Sequence, residues 1–436
     1  MSFDMIVVLI VLVIFLFLGF PILICMGVPC VVWLLMNPRM PDTFLAQNMM
    51  NYMTSFSLIC LPGFMFVGRL MNSCGVTDKL FRMAIATAGR FRGGMAQANA
   101  FASVLFATMS GSAIADAGGM GLVEMKMMKK AGYKADFAAG ITAASPLIGV
   151  IIPPSACMVL IGTIAEVSVA SMFFGGIVPG LVLAAALMIN IGLRAVLTKE
   201  GRSWPSIKLP SREIIISCLE SIPALSTFIV IMGTIYSGVC TPTEAAALAV
   251  VYAIFLGICY RKLTLKLLWE TLKQTGQAVG PLLIIMASAS IFTWVLMREG
   301  LPQMLTTWMQ GLSAARGNVV VLLCCLAVFI VVGCFIDTIS CVLLLAPIVF
   351  PIVKSIGMDP VHFGVVMTMA VMIGIITPPF GICVFVVAGV AKLPVKDVQR
   401  EAIKYLPAMI IVLLLLAFIP EIVLMVPKAL LGYTPR

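Results

Sequence analysis

The sequence predicts an all-α polytopic membrane protein built as two inverted-topology repeats, each with a re-entrant hairpin and a broken helix. Three observations predict it. The composition is too apolar for a soluble fold, the basic residues gather in loops beside apolar stretches, and a Pro-Pro element returns half a chain later.

Of 436 residues, 62% are apolar and 11% charged. In a typical globular protein about half are apolar and about a quarter charged. Charge-free stretches lie between Asp4 and Arg39, Asp42 and Arg69, Arg92 and Asp116, Asp136 and Glu166, and Lys273 and Arg298. Each exceeds the ~20 residues that cross a hydrocarbon core. The longest polar segment, 197–212, reads as a loop, so the chain is one membrane domain. The first basic residue is Arg39, so the N-terminus has no basic n-region of a secretory signal. The first apolar stretch is therefore expected to be a single retained spanning helix.

The net charge of +10 sits in loops flanking spans. That is the positive-inside pattern of a membrane protein and not a nucleic-acid footprint. The 13 cysteines lie mostly inside apolar runs, no Cys-x-x-Cys occurs and His362 is the sole histidine. A Cys/His zinc or redox site has little support, and His362 is expected to be a polar residue at a span end. No Gly-Lys dipeptide is present, hence no phosphate-binding loop of the ATPase type. Energy for any work has to come from a gradient.

Loop charges set the topology. Arg90 and Arg92 precede the segment 94–131, and Lys126, Lys129, Lys130 and Lys134 close it. With both flanks on the cytoplasmic side, the segment enters and returns, a hairpin with Ser110-Gly111-Ser112 at its tip. Residues 137–165 then cross outward and 168–191 return to the basic loop 194–212. Residues 214–236 go out, 243–260 come back and 277–297 go out again. A second hairpin, 318–353, has only Arg316 and Lys354 beside it, which suits entry from outside. Residues 363–391 cross inward and the last span ends outside. In this scheme a single first span puts Asp4 inside and Arg39 outside, against the local charge balance. The amphipathic pieces 76–90, 263–273 and 301–312 are expected to lie in the interface.

Ile148-Gly149-Val150-Ile151-Ile152-Pro153-Pro154 recurs as Ile373-Gly374-Ile375-Ile376-Thr377-Pro378-Pro379, offset by 225 residues. The stretch from Phe66 to Gly75 resembles that from Phe292 to Gly300, and Gly19-Phe20-Pro21 answers Thr241-Pro242. The expected organisation is a first repeat over 1–197, with hairpin 95–130 and broken helix 137–165. A loop and linker helix follow over 198–240, and a second repeat over 241–436 carries hairpin 318–353 and broken helix 363–391. An odd linker helix is what inverts the second copy.

A proline inside a helix removes a donor and clashes with the preceding turn, at ~3 kcal/mol or more. One such pair can be a simple kink. Two at matching positions point to broken helices, whose freed carbonyls hold ions and whose helix N-termini hold anions. The hairpin tips extend this reading. Ser110, Gly111 and Ser112 offer hydroxyls and a permissive backbone, and oxygen ligands suit hard cations such as sodium. Asp116 and Asp337 are carboxylates at membrane depth, functional by default, or alternatively a helix-stabilising or cytoplasm-facing charge. Thr241 or Thr243 can cap the helix that Pro242 begins, with Glu244 in its first turn, a structural role.

The motifs Ser110-Gly-Ser-Ala-Ile-Ala-Asp116, Ile151-Ile-Pro-Pro-Ser155, Thr241-Pro-Thr-Glu-Ala-Ala-Ala247 and Gly374-Ile-Ile-Thr-Pro-Pro379 together resemble the large (DctM-like) permease subunit of tripartite ATP-independent periplasmic (TRAP) transporters. The resemblance spans essentially the whole chain. It implies a multi-pass bacterial inner-membrane permease, not an enzyme, of the ion-transporter-superfamily fold with an elevator motion. It implies no cofactor, sodium as coupling ion, and organic acids such as C4-dicarboxylates or sialic acid as cargo. The implied partners are a separate small four-helix membrane subunit, a periplasmic substrate-binding protein and membrane lipid. By position, one sodium site would use Ser110, Gly111 and Ser112 with Gly149, Ile152 and Pro154. The other would use Asp337 and Thr338 with Gly374, Thr377 and Pro379. Ser112, Ser155 and Thr377 are the substrate-binding candidates. A stand-alone ion-coupled carboxylate transporter or antiporter shares this architecture. An intramembrane protease with paired aspartates leaves the repeat unexplained, and a passive channel needs no opposed hairpins.

Overall fold

The computed structural model describes residues 2–41, 43–107, 111, 113–207 and 209–434, leaving aside the side chains of Ser57, Ala115 and Arg316. Ser110 and Ser112 lie outside the described residues. Among those described, six helices are long and apolar enough to cross a membrane, or seven counting one bent pair as a span.

The chain opens with α1 (Phe3–Phe17) and α2 (Ile22–Met36), packed on each other. The expected single first span is therefore wrong. Gly19, in the left-handed region at φ 73°, lets the chain fold back before Pro21, as glycine does at helix C-termini. The two outer ends meet, with Asn37 Nδ2 donating to Asp4 Oδ2 at 3.1 Å. This pair of helices removes the charge conflict that a single crossing created.

Next come α3 (Phe44–Met53), α4 (Cys60–Ser73), α5 (Val76–Ala88) and α6 (Gly94–Ala107). The returning arm of the first hairpin is split into α7 (Ala113–Gly118) and α8 (Met120–Lys130). The first broken helix comprises α9 (Ala135–Ala144), α10 (Leu147–Ile151) and α11 (Ala156–Ile164), bent by 45° at the prolines. Then α12 (Val169–Leu197), α13 (Ser211–Tyr236) and α14 (Pro242–Cys259) follow as continuous spans. The expected separate interfacial helix at 263–273 does not exist on its own. It runs on into α15 (Leu265–Arg298), 34 residues long, because nothing between them except Gly276 and the tolerated Pro281 interrupts helical hydrogen bonding. At 1.5 Å per residue α15 is about 51 Å long, well beyond the ~30 Å hydrocarbon core.

The second half holds α16 (Leu301–Arg316), hairpin arms α17 (Asn318–Gly333) and α18 (Thr338–Ser355), and broken-helix halves α19 (Pro360–Gly374) and α20 (Ile382–Ala391). It ends with α21 (Val395–Ala402), α22 (Leu406–Phe418) and α23 (Pro420–Leu431); Val395–Phe418 together form one span and α23 follows it. Helix starts repeat in register: Val76 and Leu301, Ala113 and Thr338, and Ala135 and Pro360 each stand 225 residues apart. Gly75 and Gly300 match too, both left-handed at φ 73° and 76°.

The halves interlock. Arm α7 of the first hairpin packs on α20 of the second broken helix, and α18 of the second hairpin packs on α11 of the first. Helices α4, α13, α14 and α15 form a layer with α2, α3 and α5, joined to the hairpins through α5 on α6 and α15 on α18. His362 stands at a span end as expected, in the first turn of α19, but it is not open to the interface. It is buried at 2% exposure, and its Nε2 lies 2.8 Å from the Leu416 carbonyl on α22, since a buried imidazole needs a partner.

Thr241 and Glu244 form a reciprocal capping box at the start of α14. Glu244 Oε2 accepts from Thr241 N at 2.7 Å, and Thr241 Oγ1 accepts from Glu244 N at 3.4 Å. Glu244→Gln keeps an acceptor for Thr241 N, so uptake by the folded variant should stay within about twofold of wild type, with any loss appearing in melting temperature. A folded, assembled but inactive variant would assign Glu244 a role in transport.

Candidate functional site

At the first break the chain leaves α10 at Ile151 and re-enters a helix at Ala156, with Ile152, Pro153, Pro154 and Ser155 all buried between them. The Pro153–Pro154 peptide is cis, as is Pro378–Pro379. Ser155 caps α11, its Oγ accepting from Met158 N at 3.4 Å. Gly111, at φ 61°, brings the hairpin tip directly onto this break. A Cβ there would lie 3.1 Å from the Pro154 carbonyl oxygen and 3.3 Å from Ala156 N. One turn earlier, a Cβ on Gly149 would sit 3.3 Å from Asp116 Oδ2. Gly111, Asp116, Gly149, Ile152, Pro154 and Ser155 are thus brought to one place.

The second break is built the same way from a different contact. A Cβ on Gly374 would meet the Ile330 carbonyl oxygen at 2.6 Å and Gly333 Cα at 2.8 Å, so α17 and α19 touch backbone to backbone. Gly381 N donates to the Cys334 carbonyl at 3.3 Å, tying the hairpin tip to the far side of the break. Thr377 Oγ1 donates to the Ile373 carbonyl at 2.6 Å. Asp337 is the N-cap of α18, its Oδ2 accepting from Ile339 N at 3.1 Å and Ser340 N at 3.2 Å. Its carboxylate therefore has a helix-capping function, and Thr338 beside it is buried. Unlike the first break, Pro378, Pro379 and Phe380 are exposed.

Sequence reasoning missed a buried polar cluster behind the first hairpin. Asn99 on α6 donates through Nδ2 to Glu124 Oε2 on α8 at 2.8 Å and to Thr142 Oγ1 on α9 at 2.9 Å. Ser145 Oγ donates to Asn99 Oδ1 at 2.6 Å. One amide thereby ties both hairpin arms to the first broken helix. The only signal in the sequence is an asparagine inside an apolar run. Arg194, read from sequence as a loop charge, is a second missed joint. Its Nη2 pairs with Glu401 Oε2 at 2.7 Å, and its guanidinium lies over Phe137 at 4.9 Å, joining α12, α21 and α9.

Asn99→Leu would strand Glu124, Thr142 and Ser145 without their shared partner. Each buried group left unpaired costs ~1–3 kcal/mol, so thermal unfolding in detergent should show a clear drop in melting temperature. An unchanged melting temperature would mean that water replaces the amide.

Comparison with known proteins agrees with this architecture. The family described as "Tripartite ATP-independent periplasmic transporter, DctM component" matches residues 9–422. The sialic acid TRAP transporter large permease protein of Vibrio cholerae is 37% identical over 419 residues, covering 96% of this chain and 97% of the relative. The C4-dicarboxylate TRAP transporter large permease protein of the same organism is 34% identical over 436 residues, covering 95% of each. Among solved structures, the Alcanivorax borkumensis YdaH transporter, described as having an unusual topology, is similar in fold. Its TM-score is 0.62 at 16% identity, over 86% of this chain and 87% of that one. With its apolar helices, the chain is a multi-pass inner-membrane transporter and not an enzyme. It belongs to the family of TRAP transporter large permease subunits.

Proposed function

We propose that this chain is the sodium-coupled translocating subunit of an importer for a small organic acid. In this reading it works with a small four-helix membrane subunit and a periplasmic binding protein. The observation that carries the reading is the pair of breaks, each closed against a hairpin through glycine backbone and each set within the bilayer-spanning region. Backbone oxygens left by paired prolines are hard ligands suited to sodium. The first cation would be held by Ser110, Gly111 and Ser112 with Gly149, Ile152 and Pro154. The second would be held by Thr338, Gly374, Thr377 and Pro379, with Asp337 fixing α18 from its cap. Ser112, Ser155 and Thr377 would face the substrate, and Asp116 would add negative charge at the first site. The relatives' sialic acid and C4-dicarboxylates are both carboxylates, which supports that cargo class.

The interlocked hairpins and broken helices would move together past the outer layer of α4, α13, α14 and α15, in two inverted repeats. A carboxylate substrate and sodium are neutralised together within one body, which lowers the cost of carrying charge across hydrocarbon.

Reconstituted uptake in liposomes tests this. Uptake should require an inward sodium gradient, the small subunit and the added binding protein. Uptake by this chain alone would favour a stand-alone carboxylate transporter instead. For the cation sites, Ser112→Ala and Thr377→Ala should each shift the sodium activation curve to higher concentration. Two unchanged curves would remove both residues from the ion sites.

A further inference from the structure

At the second break, backbone carbonyls left without helical partners are taken up one by one. The Gly374 carbonyl accepts from Thr377 N at 2.9 Å and the Ile375 carbonyl from Cys383 N at 3.1 Å. The Ile376 carbonyl, one residue before Thr377, is met by a side chain from another helix. Gln399 on α21 donates to it through Nε2 at 2.8 Å. Ile376 is fully buried, so this bond lies in a setting where an unmade one is costly. Gly381 makes room for it. At φ 62°, a Cβ there would meet Gln399 Oε1 at 3.3 Å and the Ile376 carbonyl carbon at 3.2 Å.

Among the described residues, no side-chain donor is seen on the matching Ile151 carbonyl, which is approached instead by the α12 backbone at Gly176, where a Cβ would lie 2.2 Å from it. The residue 225 positions before Gln399 is Phe174, a buried aromatic on α12. An amide thus reaches the break from α21 in one repeat, while the residue at the matching sequence position in the other is an aromatic ring packed towards Tyr236. The second break is also the one whose prolines are exposed, where the backbone has less packing to hold its direction.

We infer that Gln399 is a positioning residue for the second cation site: its amide fixes the Ile376 carbonyl and, through it, the orientation of Thr377 and the freed backbone oxygens that bind the ion. It does not touch the ion itself. This rests on the sodium-coupled reading above.

The test compares wild type, Gln399→Met and Thr377→Ala in the reconstituted complex, with sodium replaced by potassium at constant ionic strength. Gln399→Met keeps side-chain length and removes the donor. Its sodium half-activation should rise about threefold to tenfold, the equivalent of one lost hydrogen bond. Substrate half-saturation and maximal rate at saturating sodium should stay unchanged, which a general loss of folded transporter would not allow; the sodium-free melting temperature falls with the lost buried bond. Gly381→Ala, which crowds the same amide, should move the curve in the same direction and serves if the methionine variant does not fold. A Gln399→Met curve superimposed on wild type while Thr377→Ala is shifted overturns the inference and leaves the sodium site standing. Unshifted curves for both variants, or sodium-independent uptake by wild type, remove the second site and this inference with it.

Discussion

The backbone interruption at each Pro-Pro pair is the constraint the rest of the fold has to satisfy. A helix that crosses a bilayer satisfies its own polar groups, and two adjacent prolines remove that self-sufficiency within one turn. Water is not available in hydrocarbon to make up the loss. The remedy is close backbone approach, which only glycine permits. Gly111 brings the first hairpin tip to within about van der Waals reach of Pro154 and Ala156, and Gly333 and Gly374 bring α17 against α19 with no side chain between. A Cβ at Gly374 would stand 2.6 Å from a carbonyl oxygen, closer than any packing adjustment of α19 could absorb cheaply. The hairpins are therefore required by the breaks and not merely adjacent to them.

That requirement couples the two halves. Because α7 lies on α20 and α18 lies on α11, each hairpin also supports the broken helix of the other repeat. The Asn99 cluster ties the first hairpin to α9, and Arg194 ties α12 to α21 and α9. These polar joints sit around the breaks, while α4, α13, α14 and α15 pack on one another mainly through apolar surface. The outer helices have polar contacts of their own, such as Ser226 with Tyr252 between α13 and α14, and they pack on the inner helices through α5 on α6 and α15 on α18.

The sequence made the large features legible because they have large energetic signatures. Paired proline breaks at matching positions and basic loops leave few alternatives in a bilayer. The Thr241–Glu244 box was readable for the same reason, as a local pattern completed within four residues. What could not be read depends on distance through space. The fold-back at Gly19 was hidden because a 15-residue helix is shorter than a usual span, so two of them passed for one long stretch. Asn99 and Glu124 are 25 residues apart and Gln399 lies 23 beyond its partner. Nothing local marks such pairs. His362 was placed rightly at a span end, but its burial against the Leu416 carbonyl, 54 residues on, was not visible.

The repeat is exact in spacing and unequal in chemistry. Asp116 answers to Cys341, Ile152 to Thr377 and Phe174 to Gln399, each 225 residues on. The first break is sealed in apolar packing with the Asp116 carboxylate against its glycine, and the second is more open, with hydroxyl and amide groups at the break and the Asp337 carboxylate engaged in capping α18. A carboxylate near a bound cation strengthens it through charge, whereas carbonyls and hydroxyls act through number and geometry. Geometry is the easier of the two to alter when hairpins shift by a fraction of an ångström. Under the proposed transport reading, the sealed break with its carboxylate directly against the glycine is suited to hold its ion through the cycle, and the exposed break, whose carboxylate is engaged at a helix cap, to bind and release as the site opens.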